Sequence, residues 1–139
     1  MNKKVGKMTI SMALAAALAF APAQAFAAPA TDISGHWAEK VITQWQEKGL
    51  ISGYEDGTFK PDNSVTRAEF VIMLNKALGF TQKGNVTFSD VSANAWYYDA
   101  VAIAVEAGYC AGYEDGTFKP NATITRAEAA VMIAKAKEL

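Results

Sequence analysis

The sequence predicts a mainly α fold made of two tandem helix-turn-helix repeats, with short extended or hairpin segments between the helices of each. Three observations carry this. Gly53 to Glu69 reads GYEDGTFKPDNSVTRAE, and Gly112 to Glu128, 59 residues later, reads GYEDGTFKPNATITRAE, with 13 of 17 positions identical. A period of that size marks a duplicated supersecondary unit. Apolar residues recur at helical spacing on either side of each copy, and glycine and proline punctuate the stretch between them. The duplicated positions are mostly polar, which a shared core alone does not require, so the duplication has kept a surface as well as a fold.

The first element, residues 1–27, reads as a secretory signal peptide and is set aside from the fold. Lys3, Lys4 and Lys7 precede the apolar run Met8 to Pro22, and the small-residue motifs Ala23-Gln24-Ala25 and Ala25-Phe26-Ala27 offer cleavage after Ala25 or Ala27. The run falls short of the roughly 20 apolar residues a membrane span needs. The remaining 112 residues divide into a first repeat at 28–80, a linker at 81–85 and a second repeat at 86–139. Units of this size bury a core by stacking on one another. Without the three leader lysines, 10 basic residues face 14 acidic ones, a balance that argues against nucleic acid as partner. Any anionic ligand must then be caught by individually placed cations rather than by the overall field. The single cysteine, Cys110, has no intramolecular disulfide partner and reads as a small buried side chain.

Each repeat opens on a helix. Trp37, Val41, Ile42 and Trp45 recur at helical spacing over His36 to Lys48, with Gly49 in the C-cap position; Trp96, Ala100, Val101, Ala104 and Val105 do the same before Gly108. On this spacing the tryptophans read as core residues. The turn follows. Asp56-Gly57 and Asp115-Gly116 supply the left-handed conformation of a tight turn, Tyr54, Phe59, Tyr113 and Phe118 flank it with rings, and Pro61 and Pro120 end it. The acidic pairs raise the question of calcium. With Gly57 or Gly116 as sixth residue of an EF-hand loop, position one falls on Ser52 or Ala111, position three on Tyr54 or Tyr113, and position twelve on Asn63 or Ala122, so the oxygen ligands are lacking. No metal or cofactor is expected, and His36 reads as a helix-start residue.

The second helix of each repeat opens on a capping box, Thr66-Arg67-Ala68-Glu69 and Thr125-Arg126-Ala127-Glu128. Its apolar face runs through Phe70, Met73, Leu74, Ala77 and Leu78, and through Ala129, Met132, Ile133 and Ala136. The arginine is the oddity, because a cation in the first helical turn lies against the positive end of the helix dipole. Two readings stand. Either the guanidinium pairs with a nearby acid such as Asp32 or Asp90, or it joins the free amides of the helix N-terminus to take a carboxylate or phosphate.

Asp32 with Trp37, then the DGTF-x-P turn, then Thr66-Arg67-Ala68-Glu69, repeated by Asp90, Trp96, Gly112 to Pro120 and Thr125 to Glu128, resembles the S-layer homology repeat over essentially the whole mature chain. The resemblance implies a non-catalytic module that holds exported proteins at a bacterial cell wall or cell surface. Its expected ligand is secondary cell wall polysaccharide, anionic and ending in a pyruvylated amino sugar. Arg67 and Arg126 map onto the family's arginine and would pair with the carboxylate. Asp32 and Asp90 map onto its acidic residue and would accept sugar hydroxyls; Trp37 and Trp96 would pack on a sugar face. Lys60 and Lys119, beside the turn, are further candidates, although a lysine there is ordinarily solvated surface. Such modules usually carry three repeats in a pseudo-threefold bundle with grooves between neighbours. Two are counted here, which predicts an incomplete bundle. The Asp32 to Trp37 interval is five residues and the Asp90 to Trp96 interval six, so the two sites need not be equivalent.

Catalysis has little support. One histidine and one cysteine supply no nucleophile with an orienting partner, and Glu55, Asp56, Glu114 and Asp115 are explained by duplicated turns rather than as a glycosidase pair. The competing expectation is a protein-binding role, in which the pair of repeats forms a homo-oligomer or docks on another protein of the same family.

Overall fold

A computed structural model describes residues 30–138. The signal-peptide expectation lies outside the described residues. Four helices follow in order: α1 (Glu39–Glu47), α2 (Arg67–Leu78), α3 (Tyr98–Glu106) and α4 (Arg126–Ala136). Among the described residues no strand forms; a single antiparallel bridge joins Thr66 to Thr123. The mainly α repeat architecture is as the sequence predicts.

Local chemistry sets the helix limits. Thr66 and Thr125 sit in extended backbone, accept the amides of Glu69 and Glu128, and receive those glutamates back on their own amides, so both capping boxes close. Helices α1 and α3 lack a side-chain cap and start three and two residues after His36 and Trp96. The turns repeat atom for atom. The Tyr54 amide donates to the Thr58 carbonyl at 2.7 Å and the Gly57 amide to the Tyr54 carbonyl at 3.0 Å; Tyr113, Thr117 and Gly116 do the same at 2.8 and 3.0 Å. Gly57 and Gly116 take φ of 80° and 76°, the left-handed region a side chain avoids.

The main core lies between α2, α3 and α4. Ala68, Val71, Val101, Ala104, Tyr109, Cys110, Phe118 and Met132 form one buried cluster, with Phe70 and Leu74 packed against it. Cys110 is buried and free, its thiol pushed up by that burial. Asn75 is a polar strut: its side-chain amide donates to the Ala100 carbonyl at 2.9 Å and its oxygen accepts the Tyr109 hydroxyl at 2.6 Å, tying α2 to α3. The segment leaving α2 is also tied down, since the Gly84 amide donates to Ala102 at 2.9 Å and a Cβ there would meet the Glu106 backbone.

Two expectations about the core are corrected. In α1 only Ile42 is buried; it joins Ala30 and Ile33 in a small cluster with Ala38, Ile51 and Phe59 against it. Trp37 is 89% exposed, and Val41 and Trp45 are exposed as well. Helical periodicity fixes a face, but a face is buried only where another element covers it. Helix α3 has α2 as that cover; among the described residues α1 packs through Ile42 on Ala30, Ile33 and its own turn. Trp96 precedes α3 and is 67% exposed. In α2 the deepest stripe is Arg67, Ala68, Val71 and Asn75, rotated from the expected one, and in α4 Met132 is buried while Ile133 is exposed.

Candidate functional site

The repeated polar surface is built around one carboxylate per repeat. Asp32 accepts the amides of Phe59 and Lys60, each at 2.7 Å, one on each carboxylate oxygen. Asp90 accepts those of Phe118 and Lys119, each at 2.8 Å. This clamp holds a strained residue: Lys60 and Lys119 both take φ of 56°, an uncommon left-handed conformation for a side chain of that size. The Phe59 amide is the main cause of an Asp32 pKa below the usual carboxylate range. Each lysine then lies over the turn tyrosine, Lys60 4.3 Å from the Tyr54 ring and Lys119 4.1 Å from Tyr113, and pairs with Asp56 or Asp115 at 3.3 Å. Thr58 and Thr117 hydroxyls, donating to those aspartates, hold their pKa values down.

Arg67 joins the two repeats. It is 3% exposed, its Nε donates to the Phe118 carbonyl at 2.8 Å, and its Nη1 pairs with Glu128 Oε1 at 3.0 Å. The guanidinium lies 4.6 Å from the Tyr113 ring and 5.1 Å from Phe118. The start of α2 follows it in: the Arg67 amide donates to Ala122 at 2.9 Å and the Ala68 amide to Pro120 at 3.0 Å. Arg67 therefore pairs with an acid, as one reading expects, but the acid is Glu128 rather than Asp32 or Asp90. A first-turn cation is tolerated because the helix end is docked on carbonyls and a carboxylate that offset the dipole.

Glu128 is the most perturbed acid of the site. The Tyr113 hydroxyl, then the Thr125 amide and hydroxyl, lower its pKa to about 2, with the Arg67 charge adding to this. The same hydrogen bond raises the Tyr113 pKa. Glu69 is the counterpart in the first repeat. Burial pushes its pKa up, and the Thr66 amide and Tyr54 hydroxyl outweigh that and leave it lowered.

Of the eight residues singled out in the sequence, Arg67, Asp90 and Lys119 converge at the junction around Phe118 and Tyr113, whereas Asp32 and Lys60 meet at the first turn. Trp37 and Trp96 stand apart. Trp37 neighbours His36 at 5.5 Å and borders a shallow open groove along α1 with Glu39, Lys40, Thr43, Gln44 and Glu47. Trp96 meets the edge of Tyr97 at 5.3 Å. Arg126 is exposed and makes no ion pair among the described residues. In the sequence Tyr113 reads only as a turn ring and Glu128 only as a cap, and Tyr109 and Asn75 are not singled out. The pairing of Tyr113 with Glu128 was hinted at by its repetition as Tyr54 with Glu69, at the same 15-residue interval. Among the described residues no group of three His, Cys, Asp or Glu side chains is placed to hold a metal ion, and no helix is long and apolar enough to cross a membrane.

A family model described as the S-layer homology domain matches residues 31–71 and 87–130. A surface-layer 125 kDa protein of Lysinibacillus sphaericus is 40% identical over 107 residues, covering 77% of this chain and 9% of the relative. A cellulosome-anchoring protein of Acetivibrio thermocellus is 38% identical over 109 residues, 74% of this chain and 24% of that protein. An exoglucanase from the same organism is 36% identical over 110 residues, 78% of this chain and 10% of the enzyme. The chain thus spans about a quarter or less of the length of these relatives.

Proposed function

Since this chain belongs to the S-layer homology family, we propose that it is a non-catalytic module that anchors at the bacterial cell surface by binding anionic secondary cell wall polysaccharide. One observation carries the polymer reading: Trp37 and Trp96 keep large rings in water, 89% and 67% exposed, while Tyr109 and Phe118 are fully buried. Flat exposed rings of this kind suit the apolar faces of sugars. Lys60 and Lys119, each paired with its turn aspartate, stay partly exposed on their clamped turns and can meet the polymer's acidic groups.

The roles divide by position. Trp37, Trp96, Lys60 and Lys119 contact the polymer. Asp32 and Asp90 spend both carboxylate oxygens on backbone amides; they aim the lysines and offer sugar hydroxyls only their remaining lone pairs. Arg67, enclosed and paired, holds the junction on which the second site rests. The names of the relatives agree with an attachment role. A surface-layer protein and an anchoring protein share this segment with an exoglucanase, of which it forms only 10%, so the shared part is read as the attachment and not the chemistry.

Co-sedimentation with purified cell walls, before and after chemical extraction of secondary polysaccharide, tests the proposal. The chain is expected to pellet with intact walls and to stay in the supernatant after extraction. The Trp37→Ala, Trp96→Ala double variant is expected to lose at least tenfold in pelleting at unchanged helical circular dichroism. Equal pelleting in all three cases contradicts the reading.

A further inference from the structure

The two repeats expose opposite halves of a single interface. At the junction, the start of α2 is the inserting half: the Arg67 side chain and the amides of Arg67 and Ala68 enter the second repeat, burying Ala68 and Val71 completely. The receiving half is the second turn, which supplies the carbonyls of Phe118, Pro120 and Ala122, the Tyr113 ring and the Glu128 carboxylate.

By the 59-residue period, α4 carries the same inserting half. Arg126 and Ala127 stand where Arg67 and Ala68 stand, yet both are exposed, as are Ala130, Val131 and Ile133 further along the helix. The first repeat carries the same receiving half: the carbonyls of Phe59, Pro61 and Asn63, the exposed Tyr54 ring and Glu69, whose Oε1 accepts the Tyr54 hydroxyl as Glu128 accepts that of Tyr113. Among the described residues none of these three carbonyls receives a hydrogen bond from outside its own helix or strand, and the chain's two arginines are Arg67 and Arg126. Among the described residues one chain therefore holds one made junction, one free inserting end and one free receiving turn, the two ends of opposite charge.

We infer that the chain associates head to tail with a second copy of itself, Arg126 of one copy entering the first-repeat turn of the other as Arg67 enters the second-repeat turn. The contact is heterologous, so it adds copies in one direction and closes only where the rotation between copies permits. It continues an interface already present in the molecule, with a guanidinium meeting a carboxylate and a tyrosine ring, and it covers the apolar residues α4 leaves in water. It also rebuilds at Asp32, Lys60 and Tyr54 the arrangement that Arg67 completes at Asp90, Lys119 and Tyr113. A second copy thus finishes the first-repeat site.

Sedimentation velocity on the purified chain over a wide concentration range tests this. The expected result is concentration-dependent association, weakened at least tenfold by Arg126→Ala and by Glu69→Gln; the glutamine preserves the capping box. Both variants are expected to keep the wild-type circular dichroism. The Trp37→Ala, Trp96→Ala double variant leaves both halves of the junction untouched, so it is expected to associate like wild type while losing wall pelleting, which separates failure of this inference from failure of the polymer reading. A monomer at every concentration overturns the inference, and so does association indifferent to both substitutions.

Discussion

Arg67 and Arg126 occupy the same position of the same motif and end in opposite surroundings. Arg67 is enclosed by the Phe118 carbonyl, Glu128 and two rings; Arg126 stands in solvent. Nothing within either motif distinguishes them. The difference comes from the element that each helix start meets: a second turn receives α2, and no described element receives α4. A residue's role here is set by its neighbour and not by its motif, and the same contrast runs through Phe118 against Phe59, Glu128 against Glu69 and α3 against α1.

The largest effect should come from the rings. Phe118→Ala removes a fully buried side chain and is expected to cost about 3–5 kcal/mol, whereas Phe59→Ala, half-buried in the small cluster, should cost roughly half as much. Urea denaturation of the two variants measures this directly, and equal losses would break the contrast.

A smaller effect concerns acid. The folded-state pKa of Glu128, at about 2, lies below its unfolded value near 4.3. Its contribution to stability is therefore complete above that unfolded value and is lost as pH falls from there through about 2. Tyr113→Phe removes the main cause of the shift and should flatten this acid limb. Tyr54→Phe, acting on Glu69, should flatten it less, because burial opposes the lowering of Glu69 and the Thr66 amide outranks the Tyr54 hydroxyl in causing it. Denaturant midpoints at pH 2, 3, 4.5 and 7 give the comparison, and identical limbs for the two variants would remove it.

The smallest effect is in the caps. Thr66→Ala and Thr125→Ala each lose a closed capping box worth about 1 kcal/mol. Thr66 should lose slightly more, as its capping bonds are part-buried where those of Thr125 are exposed. Thermal melts resolve the pair.

Much of this was legible from local chemistry. The capping boxes, the left-handed glycines and the buried cysteine follow from short-range rules, and the duplication announced the repeats. What escaped the sequence was non-local. Trp37 and Val41 read as core because their spacing is helical, yet burial needs a covering element, and none of the described residues covers that face of α1. One of the two readings of Arg67 pairs it with an acid such as Asp32 or Asp90, but those carboxylates are taken up by backbone amides, and its partner is the capping glutamate of the next repeat. Asn75 and Tyr109 gave no local signal, since their bond spans 34 residues of sequence.

The most direct test of the account sets Arg67→Ala beside Arg126→Ala, measuring thermal unfolding and wall co-sedimentation on the same preparations. Arg67→Ala breaks a largely enclosed ion pair and should cost about 3 kcal/mol, a fall in midpoint of roughly 10 °C or more. Arg126→Ala, compared at concentrations where the chain is monomeric, should keep the wild-type midpoint within about 0.5 kcal/mol of stability while losing wall pelleting, because no second copy finishes the first-repeat site. Equal destabilisation by the two substitutions, or full wall binding by Arg126→Ala, would contradict the division of labour between two identical motifs.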